Sequence, residues 1–204
     1  MSPTSRAILG LLSIVPMSGY DLVQAADAAV SRFWPVSKSQ VYAELARLEP
    51  LGLVQGTEIA QERRPDKRVF RLTERGEEAL DAWLESDDLA APRFRLPFLL
   101  KIFLGHRTVP GRSAALLQEV RARALAQVQE LEALLAVLDH PDAAYARLTV
   151  SYLLRMAETT AAWAQDAQAS LPPGRIAIDP RRGGSTVAAS VFKAVPPRRA
   201  GGVL

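Results

Sequence analysis

Apolar positions in the first 85 residues change their period several times, and each change marks an element. Ile8, Leu9, Leu11, Leu12 and Val15 fit a helix that Pro3-Thr4-Ser5 opens and Pro16 stops. Ser18-Gly19 reads as a turn and cap. Tyr20, Leu22, Val23, Ala26, Val30 and Phe33 then form the stripe of a second helix ended by Trp34-Pro35. Ser37 is a good N-cap for a third helix, in which Val41, Leu45 and Leu48 recur at i, i+4 and i+7 before Pro50 and Gly52 close it. Rough alternation over 53–61 and 67–72 predicts two short strands around the charged turn Arg63-Arg64-Pro65-Asp66. Thr73, Gly76 and Glu77 start a fourth helix with Ala79, Leu80, Trp83 and Leu84 inward.

A small, acidic stretch at 86–92 reads as a linker, and a short helix is expected from Arg95 or Leu96 to Leu104. Two long helices follow, 111–138 and 141–170. The seam of the first is Leu117, Val120, Ala124, Val128, Leu131, Leu135 and Leu138; that of the second is Tyr145, Leu148, Tyr152, Met156, Thr159 and Trp163. A second apolar line runs beside each, through Leu116, Leu125 and Leu134 and through Val150, Leu153, Leu154 and Ala157. Helices folded only on each other would leave that line wet. A second copy of the chain would bury it, and cover by the N-terminal region is the competing reading.

Composition removes most chemistry. The 204 residues hold no cysteine and two histidines, His106 and His140, neither in a metal-ligand spacing, and no phosphate loop, nucleophile elbow or dinucleotide fingerprint occurs. No cofactor and no enzymatic activity are expected, because a nucleophile, an acid or base and an oxyanion site do not converge. The run from Ala7 to Val15 after Arg6 is short like a signal segment, but Pro16-Met17-Ser18-Gly19 offers no cleavage site. A cytoplasmic protein without a membrane partner is therefore expected. The net charge of +3 is concentrated at the end: from Leu171 onward six basic residues face one acid, leaving residues 1–170 at −2. Any nucleic-acid footprint of the folded part must be a local cluster. The region 171–204, rich in proline, glycine and arginine, has no period and reads as a flexible tail or loose phosphate binder.

Such a cluster exists. A helix-turn-helix followed by a hairpin can bring a helix to the major groove of double-stranded DNA and a loop to its backbone. With Val41, Leu45 and Leu48 inward, the opposite face of the third helix carries Ser39, Ala43, Ala46 and Arg47, flanked by Gln40 and Tyr42. Small residues permit close approach, Gln40 suits a base edge, and Ser39, Tyr42 and Arg47 suit phosphates. Ser37 and Lys38 sit at the positive end of the helix dipole. Glu44 is awkward there, and its wheel angle turns it to the flank, toward the preceding helix. The hairpin adds Arg63, Arg64, Lys67, Arg68 and Arg71 against Glu62 and Asp66, which taken alone describes a solvated turn as well as a wing.

Three spaced runs, Ser18-Gly19-Tyr20-Asp21-Leu22, Ser39-Gln40-Val41-Tyr42 with Leu51-Gly52-Leu53-Val54, and 68–76 (RVFRLTERG), resemble the PadR-like winged-helix transcriptional regulators over residues 4–85. The later helices resemble the helical C-terminal region of the larger subgroup, related to a virulence-activator-type domain. The resemblance implies a mainly α fold: a winged helix-turn-helix with a two-stranded wing over 1–85, a linker over 86–92, a helical dimerisation domain over 93–170 and the tail. It further implies a homodimeric repressor on a roughly palindromic operator, released by a small aromatic effector. By the match, Lys38, Ser39, Gln40 and Tyr42 face DNA, and Arg64 and Lys67 lie on the wing. Trp34, Trp83, Phe98, Tyr152 and Trp163 are the candidate effector-pocket aromatics, with ordinary core packing as their alternative role. Ala43, Pro50 and Phe70 depart from the family's usual residues. A winged-helix protein-interaction module without base recognition is the competing function.

Overall fold

In the computed structural model the described residues are 1–60, 67–87 and 95–172. The chain forms two compact units, divided at Pro92 and Arg93.

In the first unit, α1 (Pro3–Ile14), β1 (Met17–Ser18), α2 (Gly19–Ala29), α3 (Lys38–Leu48), β2 (Val54–Ile59), β3 (Lys67–Leu72) and α4 (Glu74–Leu84) follow in order. Four side-chain caps begin the four helices: Ser2, Ser18, Ser37 and Thr73 each accept the backbone N–H three residues on. Ile8, Leu9, Leu12, Leu22, Val41, Leu45, Leu48, Val54, Phe70 and Leu80 close one core, which α3 enters with the three residues its period predicts.

The structure departs from the sequence reading at several places in this unit, and Val15 and Tyr20, expected on the apolar stripes of the first two helices, stand at the helix ends and are 51% and 63% exposed. The wing hairpin is joined by a third strand, since Met17 and Ser18 pair with Phe70 and Val69 to give the order β1-β3-β2. Two residues are too few to show alternation, which is why that strand is invisible in the sequence. The second helix stops at Ala29. Phe33 and Trp34 close a turn by donating their N–H groups to the Val30 carbonyl, because the residue before Pro35 is disfavoured in α geometry. Leu84, expected inward, is 65% exposed, one residue past the last turn that touches the core.

The second unit consists of α5 (Pro97–Phe103), α6 (Arg112–Val137) and α7 (Ala144–Ala169). The seam expected on α6 is buried, with Leu117, Ala124 and Leu131 almost fully covered. On α7 the two stripes exchange roles. Val150, Ala157, Ala161 and Ala164 are buried and Leu153 and Leu154 half-buried, whereas Tyr145, Leu148, Tyr152 and Met156 are 85%, 66%, 60% and 41% exposed. Leu116 and Leu134 likewise turn inward, and of the second line only Leu125 stays exposed. The reason is volume. Alanines on α7 let the leucines of α6 approach closely, and the bulkier stripe, about 140° round the helix, is left outside. Its last member, Trp163, is partly covered by Phe98 of α5 at 5.8 Å between ring centroids. The Arg147 guanidinium donates to the carbonyls of Leu135 and Leu138 and to Asp139, so a cation from α7 caps the negative end of α6.

Candidate nucleic-acid interface

The exposed face of α3 is the one its wheel predicts. Lys38, Ser39, Gln40, Tyr42, Ala43, Ala46 and Arg47 are all solvent-accessible, and the helix behind them is fixed by Val41, Leu45 and Leu48 at 2% exposure or less. A reading surface needs that rigidity, because a helix that rocks on its core cannot hold side chains against base edges.

The first turn of α3 is closed by reciprocal bonds. Ser37 Oγ accepts the Gln40 N–H at 3.3 Å, and Gln40 Oε1 accepts the Ser37 N–H at 2.8 Å. Ser37 therefore works as a cap, and the box uses the Oε1 of Gln40 and leaves its amide N–H₂ as a pair of donors. Tyr42 packs its ring on the first turn of α2: a Cβ at Gly19 would lie 2.6 Å from Tyr42 Cε1, so only glycine leaves the ring in place. The Ser18-Gly19-Tyr20-Asp21 turn thus seats Tyr42. Asp21 also closes a capping box with Ser18 and holds Lys67 of β3 at 2.8 Å.

Three of the predicted DNA-facing cations have carboxylate partners within the chain. Lys67 pairs with Asp21, Arg68 with Glu49 at 2.7 Å, and Arg47 with Glu44 at 2.8 Å. Among the described residues Lys38 has no such partner. Arg63 and Arg64 lie outside them. Glu44 turns off the exposed polar side of α3, as its wheel angle requires, but its partner is α1 and not the preceding helix. The hydroxyls of Ser2 and Ser5 donate to its two oxygens at 2.8 and 2.7 Å, and Arg47 donates to Oε2.

Burial pushes the Glu44 carboxyl up, and the bonds from Ser5, Ser2 and Arg47 outweigh it, so the group titrates below its ordinary value. Asp21 is lowered too, by the hydrogen bond from Lys67 first and that from Ser18 next. A carboxyl depressed in the folded state contributes stability above its unfolded value and loses it as pH falls through the folded one. The first unit should therefore melt progressively earlier below about pH 4. Glu44→Gln should flatten that acid limb in thermal scans; an unchanged limb would mean that Glu44 is not among the groups that set it.

The aromatic candidates for an effector pocket are only partly gathered. Phe98 and Trp163 meet, Trp83 carries the Arg6 guanidinium 5.2 Å from its ring centre, Trp34 is 39% exposed, and Tyr152 stands about 16 Å along α7 from Trp163. Beside Phe98 lies a cleft of about 390 Å³ walled by Leu116, Val120 and Ala124 and edged by Lys101, Glu119 and Arg123. His140 caps the turn before α7 by accepting the Asp142 N–H. Among the described residues no group of acidic or histidine side chains is placed to hold a metal, and no helix is long and apolar enough to cross a membrane.

Sequence reasoning missed Asp21, Glu49 and Gly56 as parts of this site. The Ser18-x-x-Asp21 spacing is a legible capping signal. The contact of Glu49 with the wing spans up to nineteen residues and has no local signature.

Comparison with known proteins agrees with this geometry. Residues 8–82 match the transcriptional regulator PadR-like family and residues 94–171 the virulence activator alpha C-terminal family. The negative transcriptional regulator PadR of Bacillus subtilis is 31% identical over 97 residues, 48% of this chain and 53% of that protein, so the match spans about half the relative's length. The crystal structure of B. subtilis PadR in complex with operator DNA superposes with a TM-score of 0.76 at 23% identity, covering 84% of this chain and 99% of that one. The same protein in complex with p-coumaric acid gives 0.68 at 23% identity, covering 81% and 96%. With a winged helix whose core and caps follow its sequence motifs, a helical unit after it and both family matches in that order, the chain carries a PadR-like transcriptional regulator domain over residues 8–82, followed by a virulence activator alpha C-terminal region over 94–171.

Proposed function

We propose that the protein is a sequence-specific DNA-binding repressor that acts as a homodimer on a roughly palindromic operator. The observation that carries the reading is the face of α3: small and polar, exposed along its length, and anchored from behind by three buried aliphatic residues. In this reading Gln40 reads a base edge, and Ser39, Tyr42 and Lys38 engage phosphates. The exposed α7 stripe of Tyr145, Leu148, Tyr152 and Met156 seats the second copy, and the two half-sites of such an operator lie about 34 Å apart, one turn of duplex.

The test is retardation of a fragment from upstream of the protein's own gene at moderate salt. Tyr42→Ala should abolish the shift under those conditions, and Lys38→Ala should reduce the slope of log K against log [salt] by about 0.9 per site. Full binding by both variants would remove α3 as the contact. No binding of any duplex by the wild type would favour a protein-interaction module. A small aromatic effector is supported by the cleft beside Phe98, where an apolar wall meets Lys101 and Arg123, a lining suited to an aromatic carboxylate. Adding p-coumaric acid in the same assay should weaken the shift, since an effector acts only by binding the two states unequally.

A further inference from the structure

Glu49 breaks a local rule. It stands at the C-terminal end of α3, where the helix dipole disfavours a carboxylate, and its charge is offset from the wing. Oε1 accepts the Gly56 N–H of β2 at 3.0 Å and Arg68 Nη2 of β3 at 2.7 Å, while Oε2 lies 2.8 Å from the same nitrogen. One carboxylate therefore holds both wing strands to the end of the helix that faces DNA.

A second local rule is broken at the same place. Gly56 lies inside a strand, where glycine is ordinarily weakening. A Cβ there would come within 2.5 Å of Arg68 Nε, 2.9 Å of Glu49 Oε1 and 3.0 Å of Phe70 Cε1. The guanidinium of Arg68 also lies 5.4 Å from the centre of the Phe70 ring, and Phe70 is a core residue paired with Gly56 across the hairpin. Two locally unfavourable choices that coincide on one contact mark a constraint set by tertiary geometry.

We infer that Glu49 and Arg68 are positioning residues, a clamp that fixes the wing against α3 so that helix and wing meet one duplex in register. Arg68 then acts through Glu49 and not as a phosphate contact of its own. The inference rests on the DNA-binding reading above. It also deepens that reading, because discrimination between duplexes depends on a contact that touches no base.

The experiment begins with a duplex enriched by the full-length wild-type protein from a randomised pool. Affinities for that duplex and for a scrambled one are then measured over a salt series for wild type, Glu49→Gln, Arg68→Ala and the double variant, with melting temperatures alongside. The clamp predicts that either single change weakens the selected duplex about tenfold, the scale of one lost base contact, while leaving the scrambled duplex and the salt slope unchanged. The double variant should be no worse than either single one, and Arg68→Lys should recover part of the loss. If Arg68 is a phosphate contact restrained by Glu49, the single variants move in opposite directions: Glu49→Gln binds both duplexes more tightly with a steeper slope, and Arg68→Ala binds both more weakly with a slope shallower by about 0.9. That result overturns the clamp and leaves the DNA reading intact. Failure of the wild type to enrich any duplex overturns the DNA reading and the clamp with it, whatever the melting temperatures show.

Discussion

Gly76→Ala should lower the first melting transition by about 10 °C, although alanine is the better helix former. In α4 the exchange favours the helix by roughly 1 kcal/mol. Against that, a Cβ at position 76 would stand 2.1 Å from the Leu53 carbonyl oxygen and 2.8 Å from Leu72 Cδ2. The oxygen cannot retreat freely, because it accepts the Thr73 N–H at 3.3 Å and Thr73 in turn donates its hydroxyl to the Gly52 carbonyl at 2.6 Å. Helix α4 must move off the start of β2, and overpacking of this kind costs up to about 3 kcal/mol. The difference is about 2 kcal/mol, and each kcal/mol shifts a unit of this size by about 4–8 °C. Gly10→Ala is the internal control. Nothing lies within 4 Å of its Cβ position in α1, so that variant should melt with the wild type or slightly above it. Equal melting of the two variants would show that the Leu53 carbonyl does not pin α4.

The second large effect lies on the outer face of α7. Leu148→Lys combined with Tyr152→Lys should convert the proposed dimer into a monomer in sedimentation, with the helical unit still folded, because both side chains are already exposed in the single chain, at 66% and 60%. Burying two ammonium groups in an apolar contact is far costlier than leaving them in water. A monomer engages one half-site only. It forfeits the gain from linking two half-sites, which is on the order of a hundredfold or more. Operator affinity should fall by at least that factor, while binding to an isolated half-site stays unchanged. Persistence of the dimer would place the contact elsewhere. Ala157→Leu acts on the opposite face of the same helix, where Ala157 is 4% exposed, and should lower the melting temperature of the α6–α7 pair instead of dissociating the protein.

These two faces show where the sequence stops being sufficient. Two apolar stripes are plain in the α7 sequence, and both fit a helix; neither period nor hydrophobicity says which one α6 takes. That choice belongs to side-chain volume across the contact, where Leu117 and Leu131 need the space left by alanines. The three aliphatic residues that seat α3, its serine cap and its polar outer face follow from spacing alone, because helix periodicity and capping act over three to seven residues. Partners of the site's charges do not. Asp21 reaches Lys67 forty-six residues away, Glu44 reaches Ser2 and Ser5 across forty-two and thirty-nine, and Glu49 reaches Arg68 across nineteen.

By itself, then, the order of residues determined the winged-helix frame, the helix presented to solvent and the PadR-like motifs of the first unit. Tertiary structure alone decided which cations of the wing are held by a carboxylate. Lys67 and Arg68 read as part of one basic cluster along the chain, and folding brings Asp21 and Glu49 to them from forty-six and nineteen residues away, whereas Arg47 and Glu44, three residues apart on α3, form a local pair. The physical reason is range: capping and periodicity are settled within a few residues of backbone, whereas an ion pair is settled by distance in space, which exists only once the core has closed.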